Sequence, residues 1–380
     1  MKLKNRLLYI ILSIAILPAC TKDVEVTPTP APPTSNLVIP LAYDSSNYPT
    51  AIAFVSSIRA NLDALVTEVK KGRIIGQKLS ATALKASFRN DALNIEGITT
   101  TYYVGQLTQA NGWFDKAEKA SGNVYRPDSA SIVGGTYGGY LFDENGFEPE
   151  QMIEKGLFGA ALSNKVIELI TNSPTVDKVD QALHIIGGTP HFKSSNAAKH
   201  ASAADKYLAV YIARRDKNDG AGFYSQMKFN FIKLKAAIKA GAGYNKERDE
   251  ASAALRLILE QTNYATVINY CHTSIANLSK TNLTDAEKAA TLHAIGECHG
   301  FALGWKNVTG KKITETQIDA IMELLNAPLT GIGKPSLFIT DRANQIAKLQ
   351  QIINKVKNIY GFTDTQVEDF KKNWVAEQNR

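Results

Sequence analysis

The sequence predicts a mostly α-helical protein, organised as a multi-helix bundle with long irregular insertions. Apolar residues recur at spacings of three and four along most of the chain after residue 37, which is the period of an amphipathic helix. Helix-capping patterns stand where several of these runs begin, and no segment sustains the apolar–polar alternation of a strand. A hydrophobic fraction of 44% and a charged fraction of 21% are ordinary for a globular protein.

The first nineteen residues have the pattern of a lipoprotein signal peptide. Three basic residues within the first six precede an apolar stretch at 7–17, which is too short to span a bilayer as a permanent helix. The stretch ends in Leu-Pro-Ala-Cys, a lipobox, so residues 1–19 are predicted to be cleaved and Cys20 to receive a lipid. An ordinary cleaved signal with an incidental cysteine is the alternative.

Residues 20–36 are predicted to form an extended tether that begins at the lipidated Cys20. Proline fixes φ and removes hydrogen-bond donors, and 27–33 reads Thr-Pro-Thr-Pro-Ala-Pro-Pro. The sequence therefore predicts a bacterial envelope protein that is attached to a membrane through this lipid and carries a helical body at 37–380. Thr21, rather than an aspartate, follows the cysteine. This favours the outer membrane, with the body facing the periplasm or the exterior.

Charge and cysteine content restrict the possible partners. The formal net charge of +7 falls to +4 when the three basic residues of the signal peptide are removed. So small a positive charge, together with export, argues against a nucleic-acid partner. Apart from the lipidated Cys20, the sequence contains two cysteines, Cys271 and Cys298. They are either a disulfide, as an oxidising compartment permits, or buried free thiols.

The first part of the body contains four predicted helices. The earliest, at 52–69, has aliphatic residues every three or four positions and ends near Gly72. The second, at 152–170, carries a face of small residues that allows another helix to approach closely. The third and fourth lie at 199–215 and 226–240.

The second part of the body contains longer helical patterns. An alanine-, leucine- and isoleucine-rich run covers 248–278, and a capping box of threonine and glutamate opens the next helix at 284–305. A threonine and a glutamine with the same spacing open a helix at 314–327. The last helices are predicted at 341–360 and 363–374.

Two long insertions interrupt the helical pattern, at 112–146 and 187–198. Both are rich in Gly, Pro, Ser and Asn, the residues of turns and loops. Short strands are possible at 37–39 and 132–141. The glycine-rich run 134–140 lacks the lysine–serine ending of a phosphate-binding loop, so it is predicted to be a flexible surface loop.

The predicted helix at 284–305 carries the strongest candidate site. At about 100° per residue, His293, Glu297, Gly300 and Gly304 fall on one stripe. A histidine and a glutamate one turn apart can share a proton or a metal ion, and the glycines leave room for a ligand or a crossing helix. The stripe is therefore either a binding site or a buried His–Glu pair beneath a tight helix crossing.

Other ionisable residues give weaker signals. His299 lies about 120° around the helix from His293, so the two cannot easily chelate one ion, and no His-Glu-x-x-His zinc pattern is present. The histidines at 184, 191 and 200 are expected to be exposed in a polar loop and its flanks. Glu148 and Glu150 stand where a helix begins, a position at which the helix dipole favours acids.

Two motifs stand on the segments that carry Glu148 and His293. The first is Gly-Phe-Glu at 146–148, then Gln151 and Glu-Lys-Gly-Leu-Phe-Gly-Ala at 154–160; the second is His-Ala-Ile-Gly-Glu at 293–297, then Gly-Phe. With the lipobox and tether, the chain resembles, over about 40–330, the lipoproteins that carry domain of unknown function 4856. The resemblance implies a mostly helical fold, distantly similar to imelysin-like proteins of bacterial surfaces. It also implies a link to iron or haem acquisition beside outer-membrane receptors, without an established catalytic activity.

The chain departs from that family in one segment. Members usually carry an acidic Trp-Asp-Glu-Ala helix where this chain reads Ala-Asp-Lys-Tyr-Leu at 204–208, so only Asp205 and an aromatic residue remain. The imelysin pattern Gly-x-His-x-x-Glu is also absent, because three residues rather than two separate His293 from Glu297. The resemblance therefore does not imply a metal site shared with imelysins.

Three functions follow from these observations as alternatives. The first is a lipoprotein that captures iron, haem or a carrier, with His293 and Glu297 lining a site to which Glu148 or Asp205 contributes from a neighbouring helix. Another is an imelysin-like peptidase, although the sequence offers no nucleophile–base set.

The remaining alternative is a structural or interaction lipoprotein. It would bind an outer-membrane receptor or an imelysin-like protein through the two insertions. Aromatic side chains are common anchors at such interfaces, and the first insertion offers Trp113, Phe114, Tyr137 and Tyr140. Local packing of these four side chains within the insertion is the competing interpretation.

Overall fold

Helices dominate the computed structural model, which describes residues 36–90, 94–129, 133–194 and 204–380. The prediction of a mostly α-helical protein is confirmed. The predicted signal peptide, the lipidated Cys20 and the proline-rich tether up to residue 35 lie outside the described residues. Within the described ranges, no helix combines the length and the hydrophobicity that a membrane span requires.

The first half of the described chain combines short helices with one β-hairpin. In chain order the elements are α1 (Tyr48–Ile52), α2 (Ser56–Lys70), a 3-10 turn (Lys71–Arg73), α3 (Ala81–Phe88), α4 (Ile95–Ile98), α5 (Thr101–Thr108), α6 (Trp113–Ala120), β1 (Gly135–Tyr137), β2 (Tyr140–Phe142), α7 (Pro149–Leu157), a π-helical segment (Phe158–Ser163), α8 (Asn164–Thr171) and α9 (Val176–Ile185).

The second half contains the long helices of the bundle. The elements are α10 (Tyr207–Arg214), α11 (Phe223–Ala240), a 3-10 turn (Ala242–Tyr244), α12 (Asn245–Leu278), α13 (Asp285–Leu303), α14 (Glu315–Leu324), α15 (Leu337–Thr340), α16 (Arg342–Tyr360), α17 (Asp364–Asp369) and α18 (Trp374–Glu377). α12 packs against α11, α13 and α16, and α13 packs against α7. Because several helices surround α12, it buries residues on more than one face.

The predicted helices are present, with shifts at their ends. The capping boxes that begin at Thr284 and Thr314 are both formed, and they open α13 and α14. The predicted helix at 199–215 is described only from residue 204, and there α10 begins at Tyr207. The last predicted helix, at 363–374, is two short helices, α17 and α18.

Glycines make the crossing of α7 and α13 unusually close. A Cβ atom at Gly300 would lie 2.3 Å from the carbonyl oxygen of Gln151, and one at Gly304 would lie 2.4 Å from that of Gly156. Real Cβ atoms do not approach backbone so closely, and only glycine permits this contact. The predicted glycine stripe therefore does serve a helix crossing, and this crossing brings α7 against the face of α13 that carries His293.

The predicted helix at 152–170 contains a π-helical segment that the sequence did not indicate. In it the Ser163 hydroxyl donates to the carbonyl of Phe158 at 2.8 Å. The carbonyl of Ala160 accepts a hydrogen bond of 2.8 Å from the backbone N–H of Thr100, which lies outside the helix. The segment thus ties the helical run from α7 to α8 to the start of α5.

The first insertion is more regular than predicted. It contains helix α6 and a hairpin in which Gly135 pairs with Phe142 and Tyr137 with Tyr140. The prediction of a flexible glycine-rich loop at 134–140 is therefore wrong, and the possible strand at 132–141 is confirmed over part of its length. The possible strand at 37–39 is irregular backbone.

The aromatic side chains of this insertion mostly face inward. Trp113, Phe114 and Tyr137 are buried, and Tyr140 is half-buried. α6 buries its apolar face, which places Phe114 edge-on against Phe88 with ring centroids 5.6 Å apart. Local packing is therefore the correct interpretation of these residues, and the prediction that they are exposed anchors is wrong.

The histidines that were predicted to be exposed differ in their surroundings. His184 was expected to be exposed, but it is buried, and this burial lowers its pKa to about 4. His191 is exposed as expected, and His200 lies outside the described residues.

Cys271 and Cys298 are buried free thiols, so the disulfide alternative is not realised.

Candidate functional site

His293 is held between two glutamates on the face of α13 that meets α7. Its Nδ1 lies 2.8 Å from Glu148 Oε2, and its Nε2 lies 3.8 Å from Glu297 Oε2. Pro149 occupies the first position of α7, where its missing N–H costs nothing, so Glu148 becomes the N-cap residue. Gly296 leaves the space that Glu148 fills, since a Cβ there would lie 3.0 Å from Glu148 Cβ.

The hairpin covers one face of the imidazole. The rings of Tyr140 and His293 are stacked, with centroids 4.1 Å apart and planes inclined by 15°. The Arg73 guanidinium lies 4.9 Å from the centroid of the Tyr140 ring, a cation–π distance. The hairpin is fixed against α13 because Tyr137 donates a hydrogen bond of 3.0 Å to Asp285.

Two buried glutamates at the start of α7, the N-cap residue Glu148 and Glu150, contact the same arginine. Arg73 forms a bidentate pair with Glu150, at 2.5 Å from Nε and 2.8 Å from Nη2. It also approaches Glu148 at 3.6 Å. Burial and the like charge of Glu148 raise the pKa of Glu150 to about 7, although Arg73 acts in the opposite direction.

A buried lysine lies on the other side of the histidine. Lys155 Nζ is 2.9 Å from Glu154 and 3.5 Å from Glu297. Tyr211 also donates to Glu297, at 3.5 Å. Burial alone lowers the pKa of Lys155, but Tyr211, Glu154 and Glu297 outweigh it and leave the pKa raised. Lys155 therefore remains charged.

These side chains form one connected group, which we call the His293 cluster. Its members are Glu148, Glu150, Glu154, Glu297, Lys70, Arg73, Lys155 and His293. The cluster thus sets four carboxyl groups against three permanent cations and one imidazole. Burial alone lowers the pKa of His293, but the charges of Glu148 and Glu297 outweigh it and leave the pKa raised.

The two ring nitrogens of His293 contact different glutamates. An ionised carboxylate can only accept a hydrogen bond, so Nδ1–H donates to Glu148 at 2.8 Å. This bond fixes the ring and increases the basicity of Nε2, as a carboxylate does behind many metal-binding histidines. Nε2 faces Glu297 at a distance beyond hydrogen-bond length. The pair can therefore hold a proton or share a cation between a nitrogen and an oxygen donor.

Three of the four predicted site residues come together, and the fourth does not join them. Glu148, His293 and Glu297 meet at the crossing of α7 and α13. Asp205 is buried in a different polar group, where it accepts a hydrogen bond of 3.0 Å from Tyr224. The prediction that Asp205 contributes to this site is therefore wrong.

Several members of the cluster were not predicted from the sequence. Glu150 and Glu154 stand one helical turn apart, as do Gln151 and Lys155, and this spacing could have indicated a charged face on α7. Arg73 comes from the turn after α2, and no local pattern connects it with α13. Within the described ranges, no three His, Cys, Asp or Glu side chains form a group that could hold a metal ion alone.

Comparison with known proteins adds no relative. No family model, no curated protein and no solved structure matches this chain. The resemblance to the lipoproteins with domain of unknown function 4856 therefore stays a prediction that depends on its two motifs, the lipobox and the tether.

The raised pKa of Glu150 predicts a pH-dependent stability. A carboxyl whose pKa is about 7 when folded and 4.5 in its ordinary state stabilises the fold below pH 4.5. This stabilisation is lost as the pH rises through 7. Glu150→Gln should therefore make the free energy of unfolding fall less between pH 5 and pH 8, by about 2 kcal/mol. Urea unfolding at both pH values measures this difference, and a variant with the wild-type slope would contradict the prediction.

Proposed function

We propose that this protein is a lipid-anchored lipoprotein of the bacterial cell envelope that binds iron at the His293 cluster and passes it on. The observation that carries the proposal is the orientation of His293, whose Nδ1 is bound to Glu148 while Nε2 faces Glu297. The resemblance to lipoproteins linked with iron or haem acquisition points in the same direction.

The donor types suit iron. Imidazole nitrogen and carboxylate oxygen are both ordinary ligands of iron in proteins. The 3.8 Å between Nε2 and Glu297 Oε2 leaves room for an ion that contacts both atoms. Water or a small chelator would complete the coordination. Two protein donors bind an ion more weakly than a full set does, which fits a carrier that must release its cargo.

A proton competes with iron for the same nitrogen. The carboxylates beside His293 raise its pKa, so below that pKa the bound ion must displace one proton. Binding therefore strengthens as the pH rises towards the pKa of His293. A cation that replaces this proton also leaves Glu148 and Glu297 with a positive neighbour.

The membrane attachment is proposed on the lipobox and the tether alone. If Cys20 carries the lipid, Cys20→Ser should abolish incorporation of labelled fatty acid in the producing bacterium. The variant should also appear in the soluble envelope fraction instead of the membrane fraction. Cys271→Ser is the matched control and should keep the lipid. Labelled Cys20→Ser protein would contradict the proposed anchor.

Removal of the imidazole should strongly weaken iron binding. We expect His293→Gln to lower the affinity for ferrous iron about 100-fold, and Glu148→Gln to lower it about tenfold because the ring loses its orientation. Anaerobic titration of the purified protein with ferrous iron, followed by elemental analysis, measures both. Parallel titrations with ferric citrate and haemin identify the form of iron that is preferred.

The matched control is His191→Gln, since His191 is an exposed histidine away from the cluster. It should bind iron like the wild type. Saturable binding that His293→Gln retains would place the iron elsewhere. Failure of the wild type to bind any of the three forms would contradict the proposed function.

A further inference from the structure

A cavity lies between the loop that precedes α11 and the end of α17, and none of its lining residues belongs to the His293 cluster. Its volume is about 160 Å³, and its lining includes Arg215, Lys217, Phe223, Gln366 and Asp369. Phe223 and Phe370 stack beside it with ring centroids 5.9 Å apart. The cavity therefore combines an aromatic wall with two basic and two acidic side chains, the second acid being Asp219.

Arg215 is the unusual member of this lining, because its charge is buried without a carboxylate. The residue is only 6% exposed. One Nη donates to the carbonyl of Phe370 at 2.5 Å, while the buried Nε has no hydrogen-bond partner among the described residues. Burial lowers the pKa of Arg215 to about 10, and the charge of Arg214 lowers it further, whereas Tyr270 and Tyr211 act in the opposite direction. None of these three neighbours is a carboxylate.

The acids that share the cavity have partners of their own. Asp369 pairs with Lys217 at 2.5 Å, and Asp219 accepts a hydrogen bond from the backbone N–H of Ala221 at 3.0 Å. The N-terminus of α11 is capped by Asp216, which accepts from the N–H groups of Tyr224 and Ser225. Arg215 is thus a buried guanidinium that forms no salt bridge with a carboxylate of the described residues.

We propose that this cavity binds a small oxyanion, a carboxylate or a phosphate, on the guanidinium of Arg215. A buried charge is costly unless an opposite charge accompanies it, and a planar guanidinium matches the oxygens of carboxylates and phosphates in geometry and charge. Lys217 is already paired with Asp369, so the positive charge that attracts the oxyanion comes from Arg215, and the stacked phenylalanines suit the apolar part of a small organic acid. The site shares no lining residue with the His293 cluster.

Calorimetric titration of the purified protein with acetate and with inorganic phosphate tests the site. Sodium chloride at equal ionic strength serves as the blank. We expect one saturable site, and Arg215→Gln should weaken it about tenfold or more. Binding of acetate alone assigns a carboxylate ligand, and binding of phosphate alone assigns a phosphate.

A second variant keeps the test valid if Arg215→Gln does not fold. Gln366 lines the cavity and is also the third residue of the capping box that opens α17. Glutamate fits that box equally well, so Gln366→Glu adds a negative charge to the lining while the cap is kept. Gln317→Glu makes the same change in the capping box of α14.

The proposal expects weaker oxyanion binding in Gln366→Glu and wild-type binding in Gln317→Glu. It would be overturned by a wild type that binds neither probe saturably. Equal affinities of the two glutamate variants, or binding that a folded Arg215→Gln variant retains, would overturn it as well.

Discussion

Replacing Asp180 by asparagine should lower the free energy of unfolding by about 3–5 kcal/mol, because it leaves a buried lysine without its counter-charge. Lys235 and Asp180 are both buried, and Lys235 Nζ lies 2.6 and 2.8 Å from the two carboxylate oxygens. The same carboxylate accepts a hydrogen bond of 2.5 Å from Tyr43. The pair thus connects α9 and α11 to Tyr43 and Asp44, which precede α1.

The structure provides a matched control in the next turn of α11. Lys239 pairs with the side chain of Asp44, and the two side chains are 45% and 38% exposed. Exposed pairs contribute about 0–1 kcal/mol, so Asp44→Asn should have little effect on stability. The carbonyl of Asp44, which accepts from Lys235, is unchanged by this substitution.

Urea unfolding of the two asparagine variants measures the difference. Removal of both buried charges, in Asp180→Leu with Lys235→Met, should cost much less than Asp180→Asn alone, because no uncompensated charge remains. A loss in Asp180→Asn as small as that in Asp44→Asn would contradict the account of this pair.

The second large effect concerns Gly300, where alanine should destabilise the protein by about 3 kcal/mol. The added methyl would lie 2.3 Å from the carbonyl oxygen of Gln151 and 2.8 Å from Lys155 Cβ. Both belong to α7, so this helix must move away from α13. Glu148 lies in the N-cap of α7 and would move with it, which would lengthen its contact with His293.

Gly105→Ala is the control for this substitution. Gly105 lies in α5, and a Cβ there would meet no atom within 4 Å. Since alanine is the better helix former by about 1 kcal/mol, this variant should be slightly more stable than the wild type. Equal stability of the two alanine variants would contradict the claim that the α7–α13 crossing depends on glycine.

The parts of the fold that the sequence predicted are those determined by local patterns. The capping boxes at Thr284 and Thr314 depend on residues three positions apart, and both are formed. The helical period predicted the glycine stripe of α13, and this stripe does contact a crossing helix, α7. Helix α6 was missed because it is only eight residues long and lies in a stretch rich in turn-forming residues.

The candidate site was predicted in part for the same reason. His293 and Glu297 stand one turn apart on one helix, so their spacing was sufficient to pair them. Arg73 and Tyr140 reach the site from segments distant in sequence, and their positions depend on how α2 and the hairpin pack. Asp205 was placed in the site because of a family motif, whereas its local partner is Tyr224.

The measurement that tests the central claim most directly is X-ray absorption at the iron edge of the loaded protein. We expect a first shell of nitrogen and oxygen with the outer-shell scattering of one imidazole. His293→Gln, loaded at saturating iron, should lose the imidazole signal, while His191→Gln should keep it. Iron bound to the wild type without an imidazole, or an imidazole signal that persists in His293→Gln, would contradict the assignment of His293 as the iron ligand.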